Sequence, residues 1–182
     1  MLEGRATIKN IETIKKNIER LGGIFKNYYS FTDVIFIPKI GKINLNKEFI
    51  RLRILKVNNW PTKDIVLVHK KTGWKGKSKI DNIILRKEFD AVENALDFIK
   101  KHFQNKLQKS FEYFREGWEY HLSNKRIFVE DVKNFKPTIE IEAENEKELD
   151  DIFKKLEIVK RLSDSMPEIM RKKLKSVETE IQ

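Results

Sequence analysis

Charged residues of like sign recur at two-residue spacing in this sequence, and such pairs could support phosphate or metal chemistry. Arg51 and Arg53 form one pair, and Glu140 and Glu142 form another. Because successive side chains of a β-strand point to opposite faces, the two members of each pair would share a face. Two guanidiniums offer planar donor groups that suit phosphate oxygens, whereas two carboxylates suit a divalent cation.

Two further strand-like pairs combine both signs of charge. They are Glu3 with Arg5, and Arg86 with Glu88. Periodicity alone allows two interpretations of all these faces. In the first, the charged faces are solvated and the opposite, apolar faces pack under helices. In the second, the sheet closes and the charged faces line a cavity in which Arg and Lys hold a polyanion and Glu holds a metal ion.

Composition narrows the classes of function. The chain has 182 residues, with 38 Lys and Arg against 28 Asp and Glu, and a net charge of +10 favours an anionic partner. Cysteine is absent, which excludes a disulfide framework, a thiolate zinc site and a cysteine nucleophile. No apolar run approaches the roughly 18 residues of a membrane span, and no signal peptide is visible. We therefore expect a cytoplasmic protein with no membrane-spanning segment.

Apolar residues recur at helical spacing in four segments, each preceded by a residue that could cap the first turn. The expected helices are 11–21 after Asn10, 92–99 after Asp90, 149–156 after Asn145, and a short helix after Ser165. In the second and third segments a Glu follows the cap by three residues, which is the spacing of a capping box.

Segments rich in Ile, Val, Phe and Thr predict the strands of the fold. These segments are 2–8, 31–37, 49–57, 64–71, 82–89, 110–121, 126–132 and 138–144. Nearly all follow one another without a helix between them, so the sheet should be largely antiparallel. Residues 72–79 are expected to form a loop. Without repeats or a linker, residues 1–182 should form a single α+β domain.

The order of these motifs resembles the CYTH superfamily, the triphosphate tunnel metalloenzymes, which include class IV adenylyl cyclases, thiamine triphosphatases and inorganic triphosphatases. The resemblance covers nearly the whole chain and depends on the ordered set, because no single motif is specific. The set is Glu3-Gly4-Arg5, residues 31–36, Arg51-Leu52-Arg53, Lys70, Arg86-Lys87-Glu88, Arg115 and Glu140-Ile141-Glu142. It implies a closed antiparallel eight-stranded β-barrel, the tunnel, with helices packed on the outside.

The resemblance also implies a role for individual side chains. The residues implied to bind substrate phosphate are Arg51, Arg53, Lys70, Arg86 and Arg115. The residues implied to hold Mg²⁺ or Mn²⁺ are Glu3, Glu140 and Glu142, and those implied in catalysis are Arg5, Glu88 and Glu130. Lys70 is preferred to Lys71 for the inward position, although a slip of one residue would exchange them.

The opening motif departs from the pattern of the family, which is E-x-E-x-K. The matching residues run from Met1 to Arg5, so Met1 stands in place of the first Glu and Arg5 in place of the Lys. The loss of one carboxylate should weaken or alter metal binding. A guanidinium also keeps its proton at physiological pH, so Arg5 cannot transfer one. Binding without turnover is therefore an alternative to catalysis.

Two classes of function are compatible with the composition and the motifs. The resemblance implies metal-dependent phosphoryl chemistry on a triphosphate such as ATP or tripolyphosphate, with either water or a ribose hydroxyl as the attacking group. The competing class is a non-catalytic polyanion or RNA binder, which the net charge and the aromatic residues around Arg115 also favour. A membrane-surface protein ranks last, because no helix combines a basic face with an aromatic one. A homodimer is compatible with the sequence.

Overall fold

The computed structural model describes residues 1–76, 78–158 and 160–180, with side chains as far as Leu174. The strands are β1 Leu2–Thr7, β2 Ile24–Pro38, β3 Glu48–Val57, β4 Ile65–Lys75, β5 Ser78–Phe89, β6 Leu107–Leu122, β7 Lys125–Val132, β8 Thr138–Ala143 and β9 Arg161–Leu162. The helices are α1 Ile11–Arg20, α2 Val92–His102, α3 Glu146–Lys155 and α4 Met166–Glu180. Within the described residues no helix is long and apolar enough to cross a membrane.

The strands form an antiparallel sheet with the order β5-β4-β3-β2-β6-β7-β8-β1-β9, and β5 also pairs with β1. Because of that last pair, each strand from β1 to β8 is hydrogen-bonded on both sides. The predicted α+β class with a closed, antiparallel, eight-stranded sheet and packed helices is confirmed. The two-residue strand β9 was not predicted, because two residues carry no periodic signal.

Strand boundaries differ most from the predictions in two places. The second strand starts at Ile24 instead of 31, since Asn27 and Ser30 interrupt the apolar pattern in the sequence although the structure buries both. Most of the predicted loop 72–79 is strand, because β4 continues to Lys75 and β5 starts at Ser78. The start of β5 pairs with β1, and a partner so distant in the sequence leaves no local signal.

The chain divides into two compact units. The first comprises Met1–Ser30, Gly73–Ile80 and Arg115–Ser163. In this unit α1 and α3 cover the apolar faces of β1, β7 and β8, and buried Ile, Leu, Val and Phe side chains form its core. The charged residues that alternate with these core residues lie on the face of the sheet opposite the two helices, and they are Glu3, Arg5, Arg126, Glu130, Glu140 and Glu142.

The second unit comprises Phe31–Thr72, Asp81–Phe114 and Asp164–Gln182. Its core joins Ala95 and Ile99 of α2 to apolar residues of β2, β3 and β4. The start of α4 is also buried, at Met166 and Met170. As in the first unit, the arginines of β3 alternate with core residues, so they lie on the face away from α2.

The predicted caps are correct at three helices and wrong at one. Asn10 and Asn145 accept hydrogen bonds from backbone N–H groups of the first turn, and the Ser165 hydroxyl accepts from the N–H of Glu168. The expected cap at Asp90 is wrong, because Ala91 is the capping residue and makes no side-chain bond. The Asp90 carboxylate instead pairs with the Lys63 ammonium at 2.7 Å.

Candidate functional site

In the first unit, a buried carboxylate holds two arginines. Glu130 accepts hydrogen bonds from Nη1 of Arg5 at 3.0 Å, and from Nη1 of Arg115 at 2.8 and 3.1 Å. The hydroxyl of Tyr29 donates a further bond to Glu130 at 2.9 Å. All four residues are buried. Through these bonds Glu130 holds both guanidiniums in fixed orientations.

Tyr29 depends on a glycine on the neighbouring strand for its position. A Cβ atom added at Gly117 would lie 2.5 Å from both Cζ and Oη of Tyr29. Gly117→Ala should therefore push the ring away from Glu130 and lower the free energy of unfolding by about 1–3 kcal/mol. Urea unfolding measures the loss. Gly73→Ala is the matched control, because its Cβ would have no neighbour closer than 3.9 Å. Equal stability of the two variants would contradict the assigned contact.

The three carboxylates expected to hold a metal lie on adjoining strands of the first unit. Glu3 of β1 is directly opposite Glu142 of β8, and Arg5 is directly opposite Glu140. Directly opposite residues share a face, so all four lie on the charged face of the sheet. The structure thus brings the predicted metal-binding residues together.

Side-chain cations contact each of these carboxylates. The pairs are Glu3 with Lys79 at 2.6 Å and with Arg5 at 3.6 Å, Glu140 with Arg5, and Glu142 with Arg126 at 3.2 Å. Among the side chains that the structure describes, no three Asp, Glu or His residues are arranged to hold a metal ion. As long as these ion pairs are formed, Glu3, Glu140 and Glu142 are therefore not arranged to bind a divalent cation.

In the second unit, Asp33 holds the two arginines of the R-x-R pair. Asp33 has no exposed surface. Its carboxylate accepts hydrogen bonds from Nε and Nη2 of Arg53 at 2.8 and 3.0 Å, and from Nη1 of Arg51 at 3.3 Å. The guanidinium of Arg53 also stacks on Phe31, with 3.5 Å from Cζ to the ring centroid. Both arginines are therefore held in fixed orientations.

Arg53 keeps hydrogen-bonding capacity after these contacts. Its side chain is 18% exposed, and its Nε and Nη2 are used by Asp33. The remaining group, Nη1, makes no hydrogen bond within the part of the chain that the structure describes. An oriented guanidinium with an open amino group can bind an anion at little cost in side-chain entropy.

Lys70 lies on the same face of the second unit as the two arginines. In the β3–β4 register, Lys70 is opposite Phe49, whereas Lys71 is opposite Glu48. Since Phe49 shares its face with Arg51 and Arg53, so does Lys70. Its ammonium contacts Asp81 at 2.8 Å. This register places Lys70, and not Lys71, beside the R-x-R pair.

Arg86 and Glu88 lie in a more exposed part of the second unit. Their side chains are 47% and 34% exposed, and they pair with each other at 3.2 Å. The backbone N–H of Lys63 donates a hydrogen bond to Glu88 and lowers the pKa of its carboxyl, and Arg86 lowers it further. Glu88 is therefore ionised near neutral pH. The described contacts of this pair are with each other and with residues 62–63, not with Arg51 or Arg53.

Sequence reasoning missed the residues that position the arginines and pair with the glutamates. These are Tyr29, Asp33, Lys79 and Arg126. Asp33 carried a signal, because it is the one acidic residue in a strand of otherwise uncharged residues from Asn27 to Pro38. A carboxylate in such a strand must be paired if it is buried. The other three carried no comparable signal.

Solved structures with the same fold are known, whereas no protein-family model and no curated protein matches this sequence. The PH1819 protein from Pyrococcus horikoshii OT3 superposes with a TM-score of 0.76 at 15% identity, covering 94% of this chain and 98% of that one. A candidate adenylyl cyclase from Hippeastrum, HpAC1, described as having a dominant triphosphatase activity, gives 0.69 at 11% identity, with 94% and 95% covered. A candidate adenylate cyclase from Vibrio parahaemolyticus gives 0.66 at 10% identity, with 93% and 96% covered. The chain therefore has a CYTH-type fold, and identities this low establish the fold alone.

Proposed function

We propose that this chain, on its CYTH-type fold, binds a small molecule that carries a triphosphate and hydrolyses it. The observation that carries the proposal is the geometry of Arg53. Asp33 and Phe31 fix its guanidinium from two sides, while its Nη1 makes no hydrogen bond to the side chains and backbone that the structure describes. Polyphosphates present rows of oxygen acceptors with high negative charge, and oriented guanidiniums are the protein groups best suited to them.

The first unit offers a second pair of oriented guanidiniums. Arg5 and Arg115 share Glu130 as Arg51 and Arg53 share Asp33. In both clusters the carboxylate fixes the direction of the arginines before any ligand arrives. Phosphoryl transfer depends mainly on positioning the substrate and on stabilising its charge. Arginines that are oriented before the ligand binds can do both.

Hydrolysis is preferred to cyclisation because of the Hippeastrum structure. That protein has a comparable fold and is described as having a dominant triphosphatase activity. In hydrolysis, water attacks a terminal phosphorus, the bridging P–O bond breaks, and orthophosphate is released. In cyclisation, a ribose hydroxyl attacks the innermost phosphorus and pyrophosphate leaves. Both reactions would use the same basic side chains.

The binding of Mg²⁺ or Mn²⁺ stays a prediction that follows from the resemblance to the CYTH superfamily. The side chains that would hold such an ion are Glu3, Glu140 and Glu142. Each of them contacts an Arg or Lys side chain, so the proposal assigns no step to a metal. In this proposal, oriented arginine side chains offset the charge on the bound polyphosphate.

The RNA-binding alternative loses part of its support. Tyr120 belongs to the core of the first unit and Trp118 packs against it, so these aromatic rings are not exposed stacking surfaces. Tyr113 is also buried, at 4% exposure. Recognition of RNA bases by stacking requires accessible rings.

Phosphorus NMR tests the proposed function. Purified protein is mixed with tripolyphosphate or ATP, in separate samples with Mg²⁺, with Mn²⁺ and with a chelator. A growing orthophosphate signal supports hydrolysis, and pyrophosphate with a cyclic nucleotide would identify a cyclase instead. Broadened substrate signals without product would indicate a triphosphate-binding protein without turnover. Unchanged spectra in every sample would contradict the proposal.

A further inference from the structure

The charged face of the first unit contains two glutamates that face each other. Glu3 of β1 lies directly opposite Glu142 of β8. Carboxylates in directly opposite positions of antiparallel strands repel each other unless cations lie beside them. A divalent ion is one means of removing this repulsion. Here side chains remove it, since Glu3 contacts Lys79 at 2.6 Å and Glu142 contacts Arg126 at 3.2 Å.

The backbone itself places Lys79 beside Glu3. The pair that joins β5 to β1 has Glu3 and Lys79 as direct partners, so their side chains leave the sheet on the same face. The adjacent residue, Ser78, is held by Arg161, whose Nη2 donates to its hydroxyl at 2.5 Å, and by Glu146, whose carboxylate accepts a hydrogen bond from that hydroxyl. The side chains of Lys79 and Glu3 are 11% and 15% exposed. The position of the Lys79 ammonium beside Glu3 is therefore fixed by the backbone pairing and by the residues around it.

Arg5 contacts three carboxylates at once. Its guanidinium contacts Glu3 at 3.6 Å, Glu130 at 3.0 Å and also Glu140. A guanidinium can do this because its five N–H donors lie in one plane and point in different directions, whereas an ammonium is a compact point charge. Arg5 therefore lies among acidic groups in the way that a bound cation would.

From these contacts we infer that side-chain cations take the place of a divalent ion in this chain, so that it binds polyphosphate without Mg²⁺ or Mn²⁺. For Glu3 to bind a metal, Lys79 and Arg5 would have to leave it, and separating largely buried charges is unfavourable. Mg²⁺ would in addition have to shed water, which it does reluctantly. The inference rests on the proposed function, because it concerns how the same polyphosphate is bound.

Titration calorimetry with tripolyphosphate separates the two proposals. The affinity of the full chain is measured with a chelator and again with saturating Mg²⁺. We expect tripolyphosphate to bind in chelator at least as tightly as with Mg²⁺, because Mg²⁺ complexes the free ligand and offsets part of its charge. Binding that is at least about tenfold tighter with Mg²⁺, or seen only with it, would overturn the inference and leave the proposed function standing. No binding in either condition would overturn both.

A second measurement uses the metal alone. Electron paramagnetic resonance of Mn²⁺ with the unmodified protein should show no binding at a dissociation constant below about 1 mM, since the carboxylates already contact cations. Binding tighter than this would contradict the inference. This measurement needs no variant, so the folding of a variant cannot affect its outcome.

A lysine substitution tests the role of the ammonium directly. Lys79→Met should lower the affinity for tripolyphosphate in chelator by about tenfold, because only the longer contact with Arg5, at 3.6 Å, then compensates the charge of Glu3. Mn²⁺ should restore part of that affinity, since only Arg5 then has to leave Glu3 for a metal to bind. Lys75→Met removes the same charge from an exposed position of β4 and is the control. Equal affinities of the two variants in chelator would overturn the inference.

Discussion

Replacement of Arg53 by alanine is expected to lower the affinity for tripolyphosphate by about a hundredfold or more. The open Nη1 of Arg53 carries two N–H donors, which can give two charge-assisted hydrogen bonds to phosphate oxygens, each contributing about 1.5 kcal/mol or more. The loss of both amounts to about 3 kcal/mol, which is roughly a hundredfold in the dissociation constant. Titration calorimetry measures this loss.

The fold should survive the Arg53 substitution. Asp33 keeps its hydrogen bond with Arg51 at 3.3 Å, so its buried charge is still compensated. Arg53→Lys is a sharper variant, because it keeps the charge and loses the planar fork that contacts Asp33 through two nitrogens. We expect its affinity to lie between those of the wild type and Arg53→Ala.

Arg20→Ala serves as the control for net charge. Arg20 is exposed in the last turn of α1, so its loss changes the total charge equally without touching the Asp33 cluster. Its affinity should stay close to that of the wild type. If Arg53→Ala and Arg20→Ala bound tripolyphosphate equally well, Arg53 would have no direct part in binding, and general electrostatic attraction would account for the affinity.

The second large effect is expected on stability. Glu130→Ala should lower the free energy of unfolding by about 3–5 kcal/mol, the range found when one partner of a buried ion pair is removed. Arg5 and Arg115 are 8% and 3% exposed, and both would lose the carboxylate that they share. The hydroxyl of Tyr29 would lose its acceptor as well. Urea unfolding followed by tryptophan fluorescence measures the change.

Glu112→Ala is the matched control for Glu130→Ala. Glu112 is also a strand carboxylate with a basic partner, Lys109 at 2.7 Å, but its side chain is 53% exposed. Exposed pairs contribute about 0–1 kcal/mol, so this variant should unfold close to the wild type. Glu130→Gln should fall between the two, because the amide keeps the size of the side chain and loses its charge. If Glu130→Ala unfolded at the same urea concentration as the wild type, Glu130 would not stabilise Arg5 and Arg115 in the way described.

Much of the fold could be predicted because its signals are local. The helix α1 has an apolar stripe, a cap at Asn10 and glycines after its end, and the structure shows each where expected. The strands β3, β7 and β8 were predicted to within one residue at each end, because each is rich in Ile, Val, Phe or Thr. The start of β2 at Ile24 was missed, because tertiary contacts bury its polar residues.

The spacing of residues in the sequence is enough to show which of them share a face of a strand. The period of two in a strand is a property of the chain's own geometry, so Arg51 with Arg53 and Glu140 with Glu142 could be paired from their spacing. The contacts of each of these residues depend on how the chain folds in three dimensions. Asp33 lies between Arg51 and Arg53, and Lys79 meets Glu3 from 76 positions away in the chain. Such partners depend on the register between distant strands, which no local pattern specifies.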